Sequence, residues 1–167
     1  MDRLATAQAR KTGLSPTAEE IVATKLKRFS VKRRALVDAL AKQNKIDVLP
    51  EVARFFDALD AGDWDEAHRL FKRLRDDLDG PSGDNLRKYW RAILEAYGAA
   101  EQVNMWPPQR LLDYGNGILD SLKPGMVYIG GTDPGCFICT MLNETTEGEQ
   151  HLTLTQNALA DQSYLEY

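Results

Sequence analysis

The residues best placed to do chemistry in this chain are Gly130, Gly131, Thr132, Asp133 and Gly135. In Met126-Val-Tyr-Ile-Gly-Gly-Thr-Asp-Pro-Gly135 a short β-tolerant run passes through a Gly-rich turn into a new helix, the layout in which backbone N–H groups face a bound ligand. Glycine lets the backbone approach that ligand closely, while Thr132 and Asp133 can either bind it or cap the helix. The turn is not a P-loop, because Gly-x-x-x-x-Gly-Lys-Ser/Thr is absent, and not a dinucleotide fingerprint, because the third glycine is out of register. A strand-to-helix turn uses the same residue types for geometry alone, and this is the plainer reading. Gln156 and Asn157 follow the next β-tolerant run, at the carboxyl end where open α/β sheets place ligands. Their amides suit a sugar hydroxyl or a carboxylate, and equally suit capping of a following helix. If the Asp133 carboxylate caps its helix, it consumes the N–H groups an anion needs and adds a like charge, which favours a neutral polyol or sugar over a phosphate.

Cys136 and Cys139 stand just inside that helix, where a thioredoxin-like redox pair would sit and the helix dipole would lower a thiol pKa. The context is poor for such a pair, since the chain upstream is wholly helical. Free cysteines on a buried helix act as small hydrophobes, and that is the expectation. Zinc lacks ligands, with two thiols and only the distant His68 and His151, so no metal site is assigned. No Ser/His/Asp set is visible, Asp76 and Asp77 lie on a charged helix face, and no pattern names a cofactor. Neither a nucleophile nor a general acid is assigned, and whether the chain is an enzyme stays open.

The elements that must position these residues are mostly helical. Val22, Leu26, Phe29, Leu36 and Leu40 recur at helical spacing and predict a basic helix over 16–43, with Ser15 as its cap and Pro16 at its first position. Asp47-Val-Leu-Pro50 breaks it. A helical hairpin over 50–79 follows, its first helix closed by Gly62 and its second opened by Asp63 and Glu66 as a capping box. Its Ala-Gly-Asp-Trp-Asp-Glu-Ala connection resembles one unit of a tetratricopeptide-like repeat, without a second copy at a period near 34 residues. Gly80-Pro-Ser-Gly83 is a loop, Asp84 can cap a helix over 85–101, and Trp106-Pro107-Pro108 leads into another over 108–122, where Gly115 and Gly117 suit close packing. From residue 123 the period changes to short apolar runs: strand 126–129, helix 134–146 and strand 152–154, which predicts a parallel crossover. The fold class expected is therefore a mainly α front, residues 1–122, followed by a partial α/β unit, residues 123–167. Leu159 to Tyr167 reads as the start of one more helix, so the chain is expected to be truncated or completed by another chain.

With 167 residues, 43% hydrophobic and 28% charged, the composition is that of an ordinary globular protein. No apolar run reaches transmembrane length and the first ten residues lack a signal-peptide core. As written the chain is expected to be cytoplasmic, with membrane association or export only if the natural chain is longer. Residues 1–49 carry 11 Lys/Arg against 5 Asp/Glu, net +6, and residues 50–167 carry 10 against 20, net −10. The basic stretch Lys25 to Arg34 can contact phosphates of a nucleic acid or lipid, but the expectation is that it docks on the acidic remainder, which makes a nucleic-acid partner unlikely.

Phe55-Phe-Asp-Ala-Leu-Asp-Ala-Gly-Asp-Trp64, Trp106-Pro-Pro-Gln-Arg-Leu-Leu-Asp-Tyr-Gly-Asn116, Gly130-Gly-Thr-Asp-Pro-Gly-Cys-Phe137 and Leu154-Thr-Gln-Asn-Ala-Leu-Ala-Asp161 resemble an uncharacterised bacterial family found in verrucomicrobia and their relatives. The resemblance implies a longer natural chain and supplies no activity. Its members generally have arginine at the position of Cys136 and proline at that of Cys139. The Gly-Gly-Thr-Asp-Pro-Gly turn is also similar, faintly, to soluble regions of glycosyltransferase-type membrane proteins. The first functional expectation is a ligand-binding or accessory α/β region with its site at the turn, facing Gln156 and Asn157, for a sugar-like or other small molecule. The alternatives are a sugar or nucleotide-sugar transferase-type enzyme fragment, which rests on analogy, and a helical adaptor that binds a protein partner.

Overall fold

A computed structural model describes residues 15–131 and 133–155. Seven α-helices and a two-stranded parallel sheet account for the regular structure among these residues. In chain order they are α1 Ala18–Asn44, α2 Pro50–Ala61, α3 Trp64–Asp76, α4 Gly83–Arg87, α5 Trp90–Met105, α6 Pro108–Leu119, β1 Val127–Gly130, α7 Cys139–Glu144 and β2 Leu152–Thr155. A 3₁₀ turn, Asp77–Asp79, prolongs α3, and one widened π turn, Pro134–Ile138, leads into α7. The mainly α front with a partial α/β back follows the periodicities of the sequence closely.

Local chemistry sets the boundaries. α1 begins two residues later than Ser15-Pro16 suggests, because Thr17 and Glu20 reciprocate: Glu20 N–H donates to Thr17 Oγ1 at 3.2 Å and Thr17 N–H to Glu20 Oε2 at 2.9 Å. Pro50 occupies the first turn of α2, and Gly62 ends that helix at φ 72°, a left-handed conformation that costs glycine nothing. Asp63 caps α3 through Glu66 N–H at 3.1 Å, but Glu66 does not complete the box; its carboxylate is held by Arg69 and Arg54 instead. The helix expected over 85–101 is interrupted. α4 starts at Gly83 without a side-chain cap, so Asp84 does not cap it, and the chain turns at Tyr89 (φ −130°, ψ 11°) before α5. That turn places Leu86 and Tyr89 together in the core, where the Tyr89 hydroxyl accepts the Leu49 N–H at 3.3 Å.

Two hydrophobic clusters hold the fold. The first joins the C-terminal half of α1, the α2–α3 hairpin and the start of α5 through Val37, Phe55, Phe56, Leu70, Phe71, Leu86, Tyr89 and Ile93. The second joins Val22 and Phe29 of α1, Ala99 of α5 and Leu111 of α6 to Ile138, Met141 and Leu142. Residues on both sides of the loop at 120–126 thus share one core, and the sheet is anchored to the helical front through the π turn and α7. Two glycines make that anchoring possible. A Cβ on Gly98 would stand 2.5 Å from the Phe137 ring, and one on Gly115 would overlap Leu142 and Ile138. Gly117 has open space around it and plays no such part. Gly98→Ala should therefore lower stability by about 1–3 kcal/mol through overpacking, read as a drop in the urea midpoint. An unchanged or higher midpoint, which helix propensity alone would give, contradicts this.

The strands pair in register, Val127 with Leu152, Tyr128 with Thr153, Ile129 with Leu154 and Gly130 with Thr155. Entry to β2 is pinned by Asn143, whose Oδ1 accepts the His151 N–H at 2.9 Å and whose Nδ2 donates to the His151 carbonyl at 2.8 Å. The basic stretch of α1 docks on acidic and carbonyl groups: Arg34 meets Asp57 at 2.7 Å, Lys25 donates to Thr145, and Arg33 is gripped by Glu144 and Glu95.

Candidate functional site

Because Gly130 and Thr155 are register partners, the chain leaves both strands at the same end of the sheet. There Gly131, Asp133, Cys136 and Thr155 face α3 and α5 across a groove of about 420 Å³. Its far wall is aromatic: Phe71, Trp90 and Tyr97, with Phe137 contributed by the π turn. The rings are stacked. Phe71 and Tyr97 lie 3.7 Å apart at 4°, Phe71 and Trp90 5.3 Å apart at 18°, and Trp64 continues the stack beyond Tyr97 at 5.5 Å. Glu101 and Arg75 stand at the rim.

The expected site residues divide. Gly131 and Asp133 line the groove, exposed. Gly130 is buried, with space for a Cβ closed off by the Gly135 carbonyl at 2.8 Å, so its lack of a side chain serves the strand-to-turn packing. Gly135 sits beneath Tyr128, whose hydroxyl donates to the Gly135 carbonyl at 3.0 Å. Thr132, Gln156 and Asn157 lie outside the described residues, as does Leu159 to Tyr167. Asp133 does not cap its helix. It adopts helical dihedrals itself (φ −42°, ψ −53°) and makes no capping hydrogen bond, because the π turn starts helical backbone one residue earlier than a cap requires.

Behind the groove runs a buried ion chain that the sequence reading missed. Arg91 Nε donates to Glu95 Oε1 at 3.0 Å, and Glu95 Oε2 meets Arg33 Nε at 2.7 Å. Arg33 also pairs with Glu144. Arg91 Nη2 reaches Thr155 Oγ1 at 3.2 Å and the Cys136 sulfur at 3.8 Å, and the Cys136 thiol and Thr155 hydroxyl are 2.8 Å apart. Two arginines and two glutamates cancel, so this chain fixes the floor of the groove without charging it. The available signal was Arg91 and Glu95 at i, i+4 in a helix whose other faces are apolar. At the rim the Tyr97 hydroxyl donates to Glu101 Oε1 at 2.8 Å and lies 2.8 Å from His68 Nδ1. A phenol has one proton, so His68 Nδ1 must be the donor to Tyr97.

Cys136 and Cys139 are buried free thiols, as expected of core residues. Burial pushes the Cys136 thiol up against the lowering effect of Thr155 and Arg91, and burial pushes Cys139 up as well. Neither thiol is primed as a thiolate nucleophile. Burial likewise raises Tyr97, helped by Glu101, and Tyr128, helped by Cys139. All four groups hold their protons to higher pH folded than unfolded. Above the ordinary thiol value of 9.0 the unfolded chain releases protons the folded one keeps, so stability should be complete below that pH and fall steadily above it, more steeply past the tyrosine value of 10.0. Urea midpoints measured from neutral to strongly alkaline pH test this, and a flat profile through that window contradicts it.

Among the described residues no group of three or more His, Cys, Asp or Glu lies together as a metal site, and no helix is long and apolar enough to cross a membrane. The chain matches no model of a known protein family, no curated protein and no solved structure. What the fold and groove define is a class only: a mainly α-helical protein with a small parallel β-α-β unit packed on it.

Proposed function

We propose that this chain is a ligand-binding α/β region with a helical front, and that its ligand is a neutral, hydroxyl-rich small molecule of the sugar type. The observation that carries this reading is the groove at the carboxyl ends of β1 and β2, walled by Trp90, Phe71, Tyr97 and Phe137. Its volume falls within the usual range of small-molecule sites, and its position matches where parallel sheets bind ligands. Trp90, half-buried at the end of the stack, has a ring face suited to the apolar face of a sugar, and Glu101 and Asp133 offer acceptors for hydroxyls.

Charge argues against a phosphate here. Among the described residues the Arg33, Glu95, Arg91 and Glu144 charges cancel, and Arg75 opposes both Glu101 and Asp133, which leaves a net charge of −1. The preference for a neutral ligand thus stands on the whole groove and not on a cap at Asp133. Gln156 and Asn157, next in sequence after Thr155, are proposed as further contacts on sequence position alone.

Thermal-shift screening against monosaccharides, disaccharides and nucleotide-sugars tests the reading. A sugar should raise the midpoint of the native chain, and Trp90→Ala or Asp133→Ala should abolish the rise, with Gln156→Ala weakening it. No shift from any sugar, or equal shifts in native and Trp90→Ala proteins, would sink the proposal.

A further inference from the structure

The basic stretch of α1 has six cations between Lys25 and Arg34, and docking engages them unequally. Lys25, Arg33 and Arg34 turn toward the acidic body, where Arg33 is buried. Thr24, Lys27, Arg28, Val31 and Lys32 recur at three, four, seven and eight, and therefore share one face of the helix. That face borders a second groove of about 530 Å³, closed on the other side by Glu144, Thr145, Thr146 and Gln150 from the end of α7 and the loop that follows. It shares no lining residue with the first groove and has a different chemistry.

Its charge can be counted. The Glu144 carboxylate belongs to the neutral buried chain with Arg33, so it does not offset the lysines. Arg28 stands 3.9 Å from Glu147. Lys32 donates to a backbone carbonyl, that of Glu144, which leaves its charge uncompensated, and Lys27 is exposed. Among the described residues neither Lys27 nor Lys32 pairs with a carboxylate, so both offer their charge beside Val31, which stays 52% exposed as an apolar floor. A phosphate monoester carries about −1.5 to −2 at neutral pH, which suits two lysine ammonium groups.

We propose that this groove binds a phosphate monoester attached to an apolar body, its phosphate between Lys27 and Lys32 and its apolar part over Val31. Nucleic acid fits poorly, because the segment from Thr146 to Gln150 that borders the groove carries Glu147 and Glu149, which oppose an extended polyanion. The same headgroup chemistry occurs free or on a lipid. Calorimetric titration of the full chain with phenyl phosphate, with inorganic phosphate, and with phosphatidylcholine vesicles doped with phosphatidic acid separates the sources.

Phenyl phosphate should bind saturably and more tightly than inorganic phosphate, weaken as salt rises, and lose roughly tenfold in affinity in Lys27→Ala, as for one lost charge-assisted contact. Binding to the vesicles alone, sensitive to Lys27→Ala, assigns the site to lipid headgroups. Val31→Asp should abolish binding with the thermal midpoint kept, since both Val31 and Lys27 are exposed. No binding of any probe, equal binding of inorganic and phenyl phosphate, or affinity unchanged in Lys27→Ala overturns the proposal.

Discussion

Glu95→Ala should destabilise the protein by about 3–5 kcal/mol, the largest loss expected from a single charged side chain here. Glu95 is 5% exposed and holds two guanidinium groups at once, Arg33 at 2.7 Å and Arg91 at 3.0 Å. Removing it takes from Arg91 its carboxylate at 3.0 Å and from Arg33, itself 5% exposed, the carboxylate at 2.7 Å. The cost comes from the buried charge left behind and not from the strength of the pair. Replacing Arg33, Glu95 and Arg91 together by Met, Leu and Met should consequently restore most of the loss. Urea unfolding of both variants checks this. A loss below about 1 kcal/mol for Glu95→Ala would place the pair with exposed ion pairs of little worth, and a triple variant weaker than the single one would reverse the argument.

That ion chain also shows where the sequence stopped being legible. Helix positions came through because a 3.6-residue apolar period is written along the chain: Val22, Leu26 and Phe29 mark α1, where Val37 and Ala41 are buried more deeply than the expected Leu36 and Leu40, and Val52, Phe55 and Phe56 mark α2. The parallel pairing of β1 and β2 came through because an intervening helix forces a crossover. Caps came through less well: Ser15, Asp84 and Asp133 have the right chemistry and do not cap, whereas Thr17 is selected by Glu20 three residues on, a local capping box. The groove was half visible. Gly131 and Asp133 are marked by the turn itself, while the opposite wall is not, because a stripe of Tyr89, Trp90 and Tyr97 reads the same whether its rings face a neighbour or a cleft. The charge asymmetry of the chain foretold docking of α1 on the acidic body. It did not foretell that Arg33 would pass through to Glu95 and Glu144, a contact spanning more than a hundred residues on one side.

Phe71→Ala is the second large effect expected, and it joins stability to the groove. Phe71 lies at the centre of the aromatic stack, 3.7 Å from Tyr97, 5.3 Å from Trp90 and 6.4 Å from Phe55, and is 5% exposed. Truncation to alanine removes the ring from a packed site and should cost about 3–5 kcal/mol. Part of that is stacking, worth about 0.5–1.5 kcal/mol per aromatic pair beyond area burial. Phe71→Leu keeps most of the volume and should recover much of the stability without restoring the stack. The two variants then separate packing from geometry. Near-ultraviolet circular dichroism, which reports the fixed orientation of Trp90 and Tyr97, should be weakened in both, whereas the urea midpoint should fall far more in Phe71→Ala. With Trp90 no longer backed by a parallel ring, the wall of the groove loosens, so any sugar-induced thermal shift should shrink in Phe71→Leu although the protein remains folded. If Phe71→Leu keeps the native aromatic spectrum and an undiminished ligand shift, the stack is mere core filling, and the groove owes its shape to the π turn and Phe137 alone.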